Sequence, residues 1–373
     1  MVIKNCKCFD GKKFLEGLIN IKIESGNIAF VSDQKIEDDY VIDAGGNTVC
    51  PGYVDIHTHG MGGYDNSALS EEDLRKMSDL YIKAGTTTFY PSFPTISTKL
   101  MTETLKLYMN NSALVPGVHL EGPYINLEKR GAQNPVYIQK PSASRFHKEF
   151  KEYLGLIKRV TLSPELDQGF ELSEYLVSKG IKVSFGHTTC DSDTADKFFD
   201  KYDSIATHMF NAMPSIHHRS PSITTIALNR NNVYCEIIPD LLHLHPEIIK
   251  LIFAVKGPEK TISVSDSMLA AGLPKGNYIF SGLNVTVGEN GARLDSGTLA
   301  GSTIILADGV KNLISIGITP QNALMSATSS PAAAMGIDNV CGHIKEGRDA
   351  DLLILEGDYS VSSVISKGNK IEM

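Results

Sequence analysis

Eight short runs of apolar and β-branched residues recur through the middle of the chain, and amphipathic segments of helical length separate most of them. The runs are YVDIHTH, TTTFYPS, VPGVHLEGP, RVTLSPE, KVSFGHT, IATHMFNA, CEIIPDLLH and TISVSDSM. Strands that alternate with helices usually form a parallel sheet. Eight such units over about 290 residues match a (β/α)8 barrel, which typically takes roughly 250 residues or more. The pattern therefore predicts an α/β fold with a TIM-like barrel.

Two of the intervening helices have clear limits in the sequence. The segment SEEDLRKMSDLYIKAG begins with Ser70 and Asp73 at the spacing of a capping box and stops at Gly85. The segment PEIIKLIFAVKG has Pro246 in its first turn and Gly257 at its end. After the eighth run, the turn-rich segment GNYIFSGLNVTVGENGARLDSGTLAGS predicts a hairpin insertion.

The two ends of the chain differ from this pattern. The first fifty residues hold short strand-like segments separated by turns, and no helical period is present in that part of the sequence. The C-terminal segment GHIKEGRDADLLILEGDYSVSSVISKGNKIEM has the same character. Because β-rich ends of one chain commonly pair, we expect residues 1–50 and 342–373 to form a small β-sandwich domain. Residues 51–341 then form the barrel domain.

Composition and charge argue against several classes of function. The 373 residues are 42% hydrophobic and 21% charged, which is ordinary for a soluble globular protein. A net charge of −8 argues against nucleic-acid binding, which depends on a basic surface that neutralises phosphates. No apolar run approaches the length needed to span a bilayer, so we expect a cytoplasmic protein without membrane contact. The cysteines are scattered without a C-x-x-C pair, which indicates reduced, mostly buried thiols: Cys6, Cys8, Cys50, Cys190, Cys235 and Cys341.

The stretch PGYVDIHTHG places Asp55, His57 and His59 at intervals of two. Alternate residues of a β-strand point to the same side, so these three polar groups share one face. In a (β/α)8 barrel the active site lies at the C-terminal ends of the strands. Further polar residues stand at these ends in later runs: Glu121 on the third, His187 on the fifth, His208 on the sixth, His243 on the seventh and Asp266 on the eighth.

Each of these residues alone has an ordinary structural explanation. A lone H-x-H is often incidental, a buried histidine commonly bonds the backbone, and a carboxylate can cap the next helix. Together they converge in one barrel mouth, where imidazoles and carboxylates without a cation are costly to bury. We therefore predict a metal centre with one or two divalent ions per subunit. Zn²⁺ is the first expectation, and Fe²⁺ or another divalent ion is the alternative.

The ligand types also indicate a chemistry. A divalent ion with open coordination positions lowers the pKa of its bound water toward about 7. Asp266 is the natural carrier of the proton from this water to a leaving amine, and Asp55, deeper along its strand, supports the histidine pair. The predicted ligand sets are a bridging Glu121, with His57 and His59 on one ion and His187 and His208 on the other. Asp266 is the sixth predicted metal ligand.

The remaining histidines are assigned to other places. His119 shares a strand face with Glu121 but lies one layer deeper, so we expect a packed barrel residue. His147 lies in a predicted helix and His343 in the predicted sandwich, whereas His245 stays unassigned.

Several stretches of the chain resemble signatures of a known family. PGYVDIHTHG and GRDADLLIL are similar to the N- and C-terminal signatures of the amidohydrolase superfamily. More narrowly, the chain resembles the N-acetylglucosamine-6-phosphate deacetylase family over essentially its whole length, on HLEGPYINLEKRGAQNP, GHT, THMFNAM, DLLH, SDSM and TLAGS. This resemblance implies hydrolysis of the acetamide of N-acetylglucosamine 6-phosphate to glucosamine 6-phosphate and acetate. N-acetylgalactosamine 6-phosphate is the alternative substrate.

The resemblance also implies roles for individual residues. Asp266 matches the catalytic acid/base of the family. The metal ligands divide into two sets: Glu121, His187 and His208 match the most constant ligands, and His57 and His59 match a pair used by the members that bind a second metal.

Substrate contacts are implied as well. The backbone amides of Asn211 and Ala212 match phosphate contacts. Arg219 matches an arginine that reaches the phosphate of the neighbouring subunit's substrate, which implies a homodimer. His243 matches a substrate-contacting histidine, and Gln133 stands where some relatives carry histidine. DLLH replaces the more usual DGLH, which is expected to reshape the seventh loop and to influence which epimer is accepted.

Three alternatives stay open at this point. From the residues alone, SIHHRS is equally well explained as a solvated basic loop. Cyclic-imide and dihydroorotate hydrolases commonly bridge two metals with a carboxylated lysine on the fourth strand, but the fourth run ends VTLSPE without lysine. A catalytically silent barrel scaffold is the alternative of a different class, and the complete set of ligands together with Asp266 argues against it.

Overall fold

The structure is a computed structural model that describes residues 1–372. Strands and helices alternate through most of the chain. The strands are β1 (Val2–Cys8), β2 (Ile19–Glu24), β3 (Asn27–Ser32), β4 (Val41–Asp43), β5 (Thr48–Pro51), β6 (Tyr53–Thr58), β7 (Gly60–Met61), β8 (Tyr64–Asp65), β9 (Thr86–Phe93), β10 (Val118–Glu121), β11 (Ile157–Leu162), β12 (Lys182–Phe185), β13 (Ser204–Ala206), β14 (Val233–Ile237), β15 (Thr261–Ser263), β16 (Gly276–Phe280), β17 (Leu283–Gly288), β18 (Gly291–Leu294), β19 (Leu352–Leu355), β20 (Val361–Ser366) and β21 (Asn369–Lys370). The α-helices are α1 (Glu71–Lys83), α2 (Thr98–Asn110), α3 (Ala143–Phe150), α4 (Glu171–Ser178), α5 (Ser192–Lys201), α6 (Ile223–Asn229), α7 (Pro246–Lys256), α8 (Leu306–Ser315), α9 (Pro320–Ala327) and α10 (Ser329–Met335).

Within residues 1–372, eight parallel strands form the barrel that the sequence predicts. They pair in the order β6, β9, β10, β11, β12, β13, β14 and β15, and each predicted run overlaps one of them. Beyond β15 the chain returns to the first strand, where the Asp266 amide donates to the His57 carbonyl (2.9 Å) and the His59 amide donates to the Ser267 carbonyl (2.8 Å). These bonds join the two ends of the sheet, so the C-terminal ends of the strands surround one mouth.

The two β-rich ends of the chain pair with each other, as predicted, and their strands form one sheet. Its order is β21, β20, β19, β5, β1, β2 and β3, with β4 beside β1. Strand β5 from the N-terminal part pairs antiparallel with β19 from the C-terminal part. Ile3, Ile21 and Val49 are fully buried in an apolar cluster of this sheet. The domain limits, 1–50 with 342–373 and 51–341, stay a prediction, and residue 373 lies outside the described residues.

The two helices with sequence-marked limits form as expected. The Ser70 hydroxyl accepts from the Asp73 amide (3.2 Å) and the Asp73 carboxylate accepts from the Ser70 amide (3.3 Å), which is the predicted capping box of α1. Gly85, just past its end, adopts a left-handed φ of 90° that glycine tolerates without strain. Helix α7 begins at Pro246 and is capped at its end by Gly257. Both pairs of limits are confirmed.

The segment after the eighth barrel strand forms three strands rather than the predicted hairpin. Strands β16 and β17 make the hairpin, and β18 pairs antiparallel with β17 on its other side. Together they bury Phe280, Val285 and Ala292 in one cluster with Met268. The third strand forms because Ala292, which is fully buried, completes this apolar face.

Two further sequence expectations concern the membrane and the cysteines. No helix formed by residues 1–372 combines the length and the apolar character needed to cross a membrane. All six cysteines are free and buried, which confirms the predicted thiols.

Candidate metal centre

Six polar side chains converge at the C-terminal mouth of the barrel, and all of them are buried. They form two groups in which the potential ligand atoms lie within 4.8 Å of one another: His57, His59 and Asp266 in the first, and Glu121, His187 and His208 in the second. The structure thus brings together the six residues that the sequence predicts as metal ligands.

Glu121, the last residue of β10, lies between the two groups. Its Oε1 is 3.0 Å from Nε2 of both His187 and His208, and its Oε2 is 3.4 Å from Nε2 of His59. Asp266 Oδ1 is 3.2 Å from the same His59 nitrogen. One carboxylate therefore faces both sets of imidazoles, which is the arrangement that a bridging ligand needs.

The imidazoles of His59 and His187 direct Nε2 toward the centre, because Nδ1 is bonded elsewhere. His59 Nδ1 donates to the Ser92 carbonyl (3.1 Å), and His187 Nδ1 donates to the Lys129 carbonyl (2.8 Å). A neutral ring with its proton on Nδ1 has none on Nε2. The Nε2 atoms of His57 and His59 are nevertheless only 3.2 Å apart. Two such nitrogens need an added proton or a shared cation between them, so these residues fit a divalent metal ion.

The same arrangement shifts the pKa values of the cluster. Burial alone would lower the pKa of His59, but hydrogen bonds to Asp266 and Glu121 raise it to about 10. Burial would raise the pKa of Glu121, yet the imidazoles of His187, His208 and His59 hold it well below its ordinary value. The carboxylates thus stay charged and favour a proton on His59 in the metal-free protein. A divalent ion would take the place of those protons, because metal ligands bind in their deprotonated form.

Three of the six side chains stand on left-handed backbone. His187, His208 and Asp266 have φ angles of 48°, 34° and 45°, in a region that residues other than glycine rarely adopt. Each follows the end of a barrel strand by two or three residues. Such conformations cost roughly 1–3 kcal/mol each and concentrate at functional sites, where the position of a side chain matters more than local stability.

A cavity of about 360 Å³ opens over the two groups, which is the size of a small-molecule pocket. It contains five of the six predicted metal ligands and four of the five predicted substrate residues: His59, Glu121, His187, His208 and Asp266 with Gln133, Asn211, Ala212 and His243.

The polar groups in the cavity wall are held in place by further hydrogen bonds. The Gln133 side chain donates to Glu121 Oε2 (2.5 Å) and accepts from the Thr95 amide (2.6 Å). His243 Nδ1 donates to Asp240 Oδ2 at 2.7 Å, which leaves its Nε2 for another partner. Both side chains are therefore oriented before any substrate binds.

Arg219 is the predicted substrate residue that lies outside this cavity. It belongs to the exposed segment 215–220, and its Nη1 is 2.7 Å from Nε2 of His218. A single chain therefore does not bring Arg219 to its own pocket.

With this geometry in place, comparison with known proteins decides the family. Residues 48–371 match the Amidohydrolase family. The chain belongs to the amidohydrolase family. It is 36% identical over 362 residues to the N-acetylglucosamine-6-phosphate deacetylase of Bacillus subtilis (strain 168), covering 94% of this chain and 91% of that protein. The resemblance stated from the sequence is confirmed.

Two further comparisons give one more relative in sequence and one in structure. It is 27% identical over 355 residues to the N-acetylgalactosamine-6-phosphate deacetylase of Escherichia coli O157:H7, covering 93% of each chain. The crystal structure of N-acetylglucosamine-6-phosphate deacetylase from Pasteurella multocida matches it with a TM-score of 0.94 at 29% identity, over 100% of this chain and 99% of the other. The predicted fold class is thereby confirmed.

Two charged residues of the amidohydrolase barrel were not predicted from the sequence. Arg159 and Glu236 are fully buried and form an ion pair below the metal centre. Burial would raise the pKa of Glu236, but Arg159 and His57 lower it to about 2. The available signal was a charged residue inside an otherwise apolar strand, as in CEII, since such a charge must find a partner in the barrel.

Other polar residues of this barrel support the structure. His119 is fully buried, where its ring bonds Ser92 Oγ (2.9 Å) and Thr161 Oγ1 (2.7 Å). Burial lowers the pKa of His119 well below its ordinary value, so the ring is neutral and packed, as expected. The Asp55 carboxylate accepts from the His57 amide (3.2 Å) in the first strand.

Proposed function

We propose that this amidohydrolase removes the acetyl group of N-acetylglucosamine 6-phosphate by metal-dependent hydrolysis, giving glucosamine 6-phosphate and acetate. The observation that carries the proposal is the position of Glu121, which faces two sets of imidazoles at the base of a cavity of small-molecule size. The 36% identity to a deacetylase of this specificity over 94% of the chain supports the choice of substrate. A cytoplasmic location is part of the proposal.

The residues present fit one or two divalent ions, for which we propose Zn²⁺ with Fe²⁺ as the alternative. His57, His59 and Asp266 would hold one ion, and Glu121, His187 and His208 the other. When bound, such an ion supplies Lewis-acid polarisation of the amide carbonyl and makes a water more acidic.

Asp266 moves the proton in this proposal. Its carboxylate accepts the proton that the attacking water loses and donates it to the nitrogen of the leaving amine as the C–N bond breaks. In the metal-free protein, burial would raise the pKa of Asp266, but His57, His59 and His208 lower it, so the carboxylate is ionised. The group therefore begins the cycle as a base and becomes an acid once it has taken the proton.

The remaining cavity residues position the substrate. We assign His243, held by Asp240, to a carbonyl or hydroxyl oxygen of the sugar, and Gln133 to the orientation of Glu121 and of the substrate. We assign the backbone amides of Asn211 and Ala212 to the phosphate. The Asn211 amide donates to the His208 carbonyl at 2.9 Å, so phosphate binding requires this amide to exchange one acceptor for another.

The second candidate substrate is N-acetylgalactosamine 6-phosphate. Leu241 in DLLH has a left-handed φ of 61°, at the position where the more usual DGLH carries glycine. The neighbouring Leu242 reaches the three-stranded insertion, where it limits the space above Gly291. This loop also carries His243 in the cavity wall, so leucine in place of glycine bears on recognition of the sugar epimers.

The proposal is tested by acetate release from N-acetylglucosamine, N-acetylgalactosamine and their 6-phosphates, with a cyclic imide as the substrate of a rival amidohydrolase. We expect hydrolysis of a 6-phosphate, gluco before galacto, and loss of activity after chelation that added Zn²⁺ restores. Turnover of the cyclic imide alone contradicts the proposed substrate. Metal uptake without hydrolysis of any compound instead supports the silent scaffold.

A further inference from the structure

The Glu236 carboxylate lies directly behind the metal centre. It belongs to β14 and is fully buried. Its Oε2 accepts from His57 Nδ1 at 3.1 Å and from the His208 amide at 3.0 Å, and its Oε1 pairs with Arg159 Nη1. The Glu236 side chain thus contacts a candidate ligand of each group. It contacts the imidazole of His57 in the first group and the backbone amide of His208 in the second.

The four imidazoles of the centre are supported unequally. Neutral backbone carbonyls accept from Nδ1 of His59 and His187, and Nδ1 of His208 has no hydrogen-bond partner among the described residues. His57 alone has a charged carboxylate behind it. A carboxylate in this place fixes the proton on Nδ1, holds the ring in one orientation and makes Nε2 a better electron donor. This support falls on an imidazole of the first group only.

Arg159 holds the carboxylate in place. The fully buried guanidinium donates from Nε to Ser184 Oγ (2.6 Å), from Nη2 to Thr207 Oγ1 (3.0 Å) and from Nη1 to the Ile56 carbonyl (3.3 Å). The acceptors of these bonds lie on or next to several different barrel strands. The guanidinium is therefore held in one position. Glu236 is therefore charge-balanced and fixed in the barrel interior.

We propose that Glu236, backed by Arg159, is a positioning residue that prepares His57 as a metal ligand and so strengthens binding of a divalent ion by His57, His59 and Asp266. The inference rests on the metal-dependent function proposed above. It explains why two opposite charges are buried in a barrel that apolar side chains would fill more easily. It also predicts that the two groups differ in affinity for a divalent ion, because the second group has no carboxylate behind its imidazoles.

Metal binding by the purified protein tests this role without substrate. Metal-depleted protein is titrated with Zn²⁺ in competition with a chromogenic chelator, for the parent and for Glu236→Gln. We expect the substitution to weaken one of two dissociation constants by about 10- to 100-fold, as loss of an outer carboxylate typically does, and to leave the other unchanged. Equal weakening of both constants, or no change in either, overturns the proposal.

A double-mutant cycle assigns the effect to His57. In a His57→Ala background the carboxylate no longer has an imidazole to orient, so adding Glu236→Gln should not change the affinity for the ion that still binds. A further loss of about tenfold in that background would show that Glu236 acts through the His208 backbone or through the fold, and the proposal would be wrong.

Two more variants separate positioning from folding. Glu236→Gln leaves the Arg159 charge without its partner, so the double variant Arg159→Met/Glu236→Gln removes both charges together and must show the same selective loss. Asp167→Asn is the matched control, because Asp167 is a buried carboxylate whose hydrogen bonds go to Leu172 and Ser173 and not to a candidate ligand. It must bind Zn²⁺ as the parent does.

The results also distinguish this inference from the proposed function. A parent protein that takes up no divalent ion contradicts both. A parent that binds ions and hydrolyses the substrate, while Glu236→Gln binds them equally tightly, contradicts only the role of Glu236.

Discussion

The Asp266 side chain depends on its own backbone for its position. The residue has a φ of 45°, its amide donates to the His57 carbonyl (2.9 Å) and its carbonyl accepts from the Ser302 amide (2.7 Å). Gly301 allows this close approach, since a Cβ there would lie 2.9 Å from the Asp266 carbonyl oxygen. A change confined to the carboxylate should therefore leave the local structure as it is.

Asp266→Asn removes the proton carrier and keeps the shape of the side chain. We expect acetate release to slow by about 10² or more, because general acid–base catalysis typically contributes roughly 10²–10⁴. Circular dichroism should be unchanged, and elemental analysis should still find bound metal. A variant within a few-fold of the parent rate contradicts the role of Asp266.

The raised pKa of His59 predicts how pH affects the metal-free protein. The folded-state value of about 10 lies above the ordinary imidazole value near 6.5, so binding of this proton stabilises the fold. That stabilisation is fully present below about pH 6.5 and is lost as pH rises toward 10. Chelator-treated protein should therefore have a lower Tm at pH 9 than at pH 6.5, with a smaller change after Zn²⁺ is added. An equal change with and without Zn²⁺ contradicts this explanation.

At the scale of elements, the three-stranded insertion forms part of the metal centre. The Phe280 ring in β16 packs edge-on against His59, with ring centroids 5.5 Å apart. Thr298 and Leu299, just after β18, line the cavity. The insertion therefore supports a candidate ligand and closes one side of the pocket.

Phe280→Ala should disturb the first group more than the second. Loss of a buried phenylalanine typically costs about 3–5 kcal/mol, and here it also frees the His59 ring. We expect a lower Tm and roughly tenfold weaker binding of one Zn²⁺. Val285→Ala is the control, since Val285 is buried in the same apolar cluster of the insertion as Phe280. If both variants weaken Zn²⁺ binding equally, the effect comes from the insertion as a whole and not from Phe280.

At the scale of the whole molecule, the predicted phosphate site is incomplete in one chain. Arg219 lies outside the cavity in the exposed segment 215–220, which also exposes Ile216. We propose a homodimer in which Arg219 of a second subunit reaches the phosphate and supplies the missing charge. The shared site is a proposal that the following two experiments test.

Arg219→Ala should lower kcat/KM for the phosphorylated sugar by about ten- to a hundredfold, as expected for loss of a guanidinium–phosphate bond worth roughly 1.5–3 kcal/mol. The unphosphorylated sugar should be hydrolysed as by the parent. Equal losses for both sugars would mean that Arg219 serves the fold and not the phosphate.

Mixing Arg219→Ala subunits with Asp266→Asn subunits tests whether the site is shared. In a hybrid dimer one site carries both defects and the other carries neither, so activity should return on mixing. Hybrids verified by mass that stay inactive would place Arg219 with its own chain or away from the phosphate.

Much of this architecture follows from short-range patterns in the sequence. The eight strands were predictable because each is a compact apolar run. The limits of α1 and α7 were predictable because helix capping depends on residues that are neighbours in the sequence. The position of the six candidate ligands was predictable for the same reason: a strand end is visible in the sequence, and the barrel brings all strand ends to one mouth.

Other features required the tertiary structure. His57 and Glu236 are 179 residues apart, and Arg159 reaches Glu236 from a third strand, so no local pattern pairs them. The packing of Phe280 on His59 and the placement of Arg219 outside its own cavity likewise depend on how distant elements meet. Because period and strand ends are local properties, the sequence alone indicates which side chains are candidates for the chemistry. The tertiary structure alone decided what holds those side chains, because a buried charge or ring is stabilised by whichever neighbour the fold brings to it.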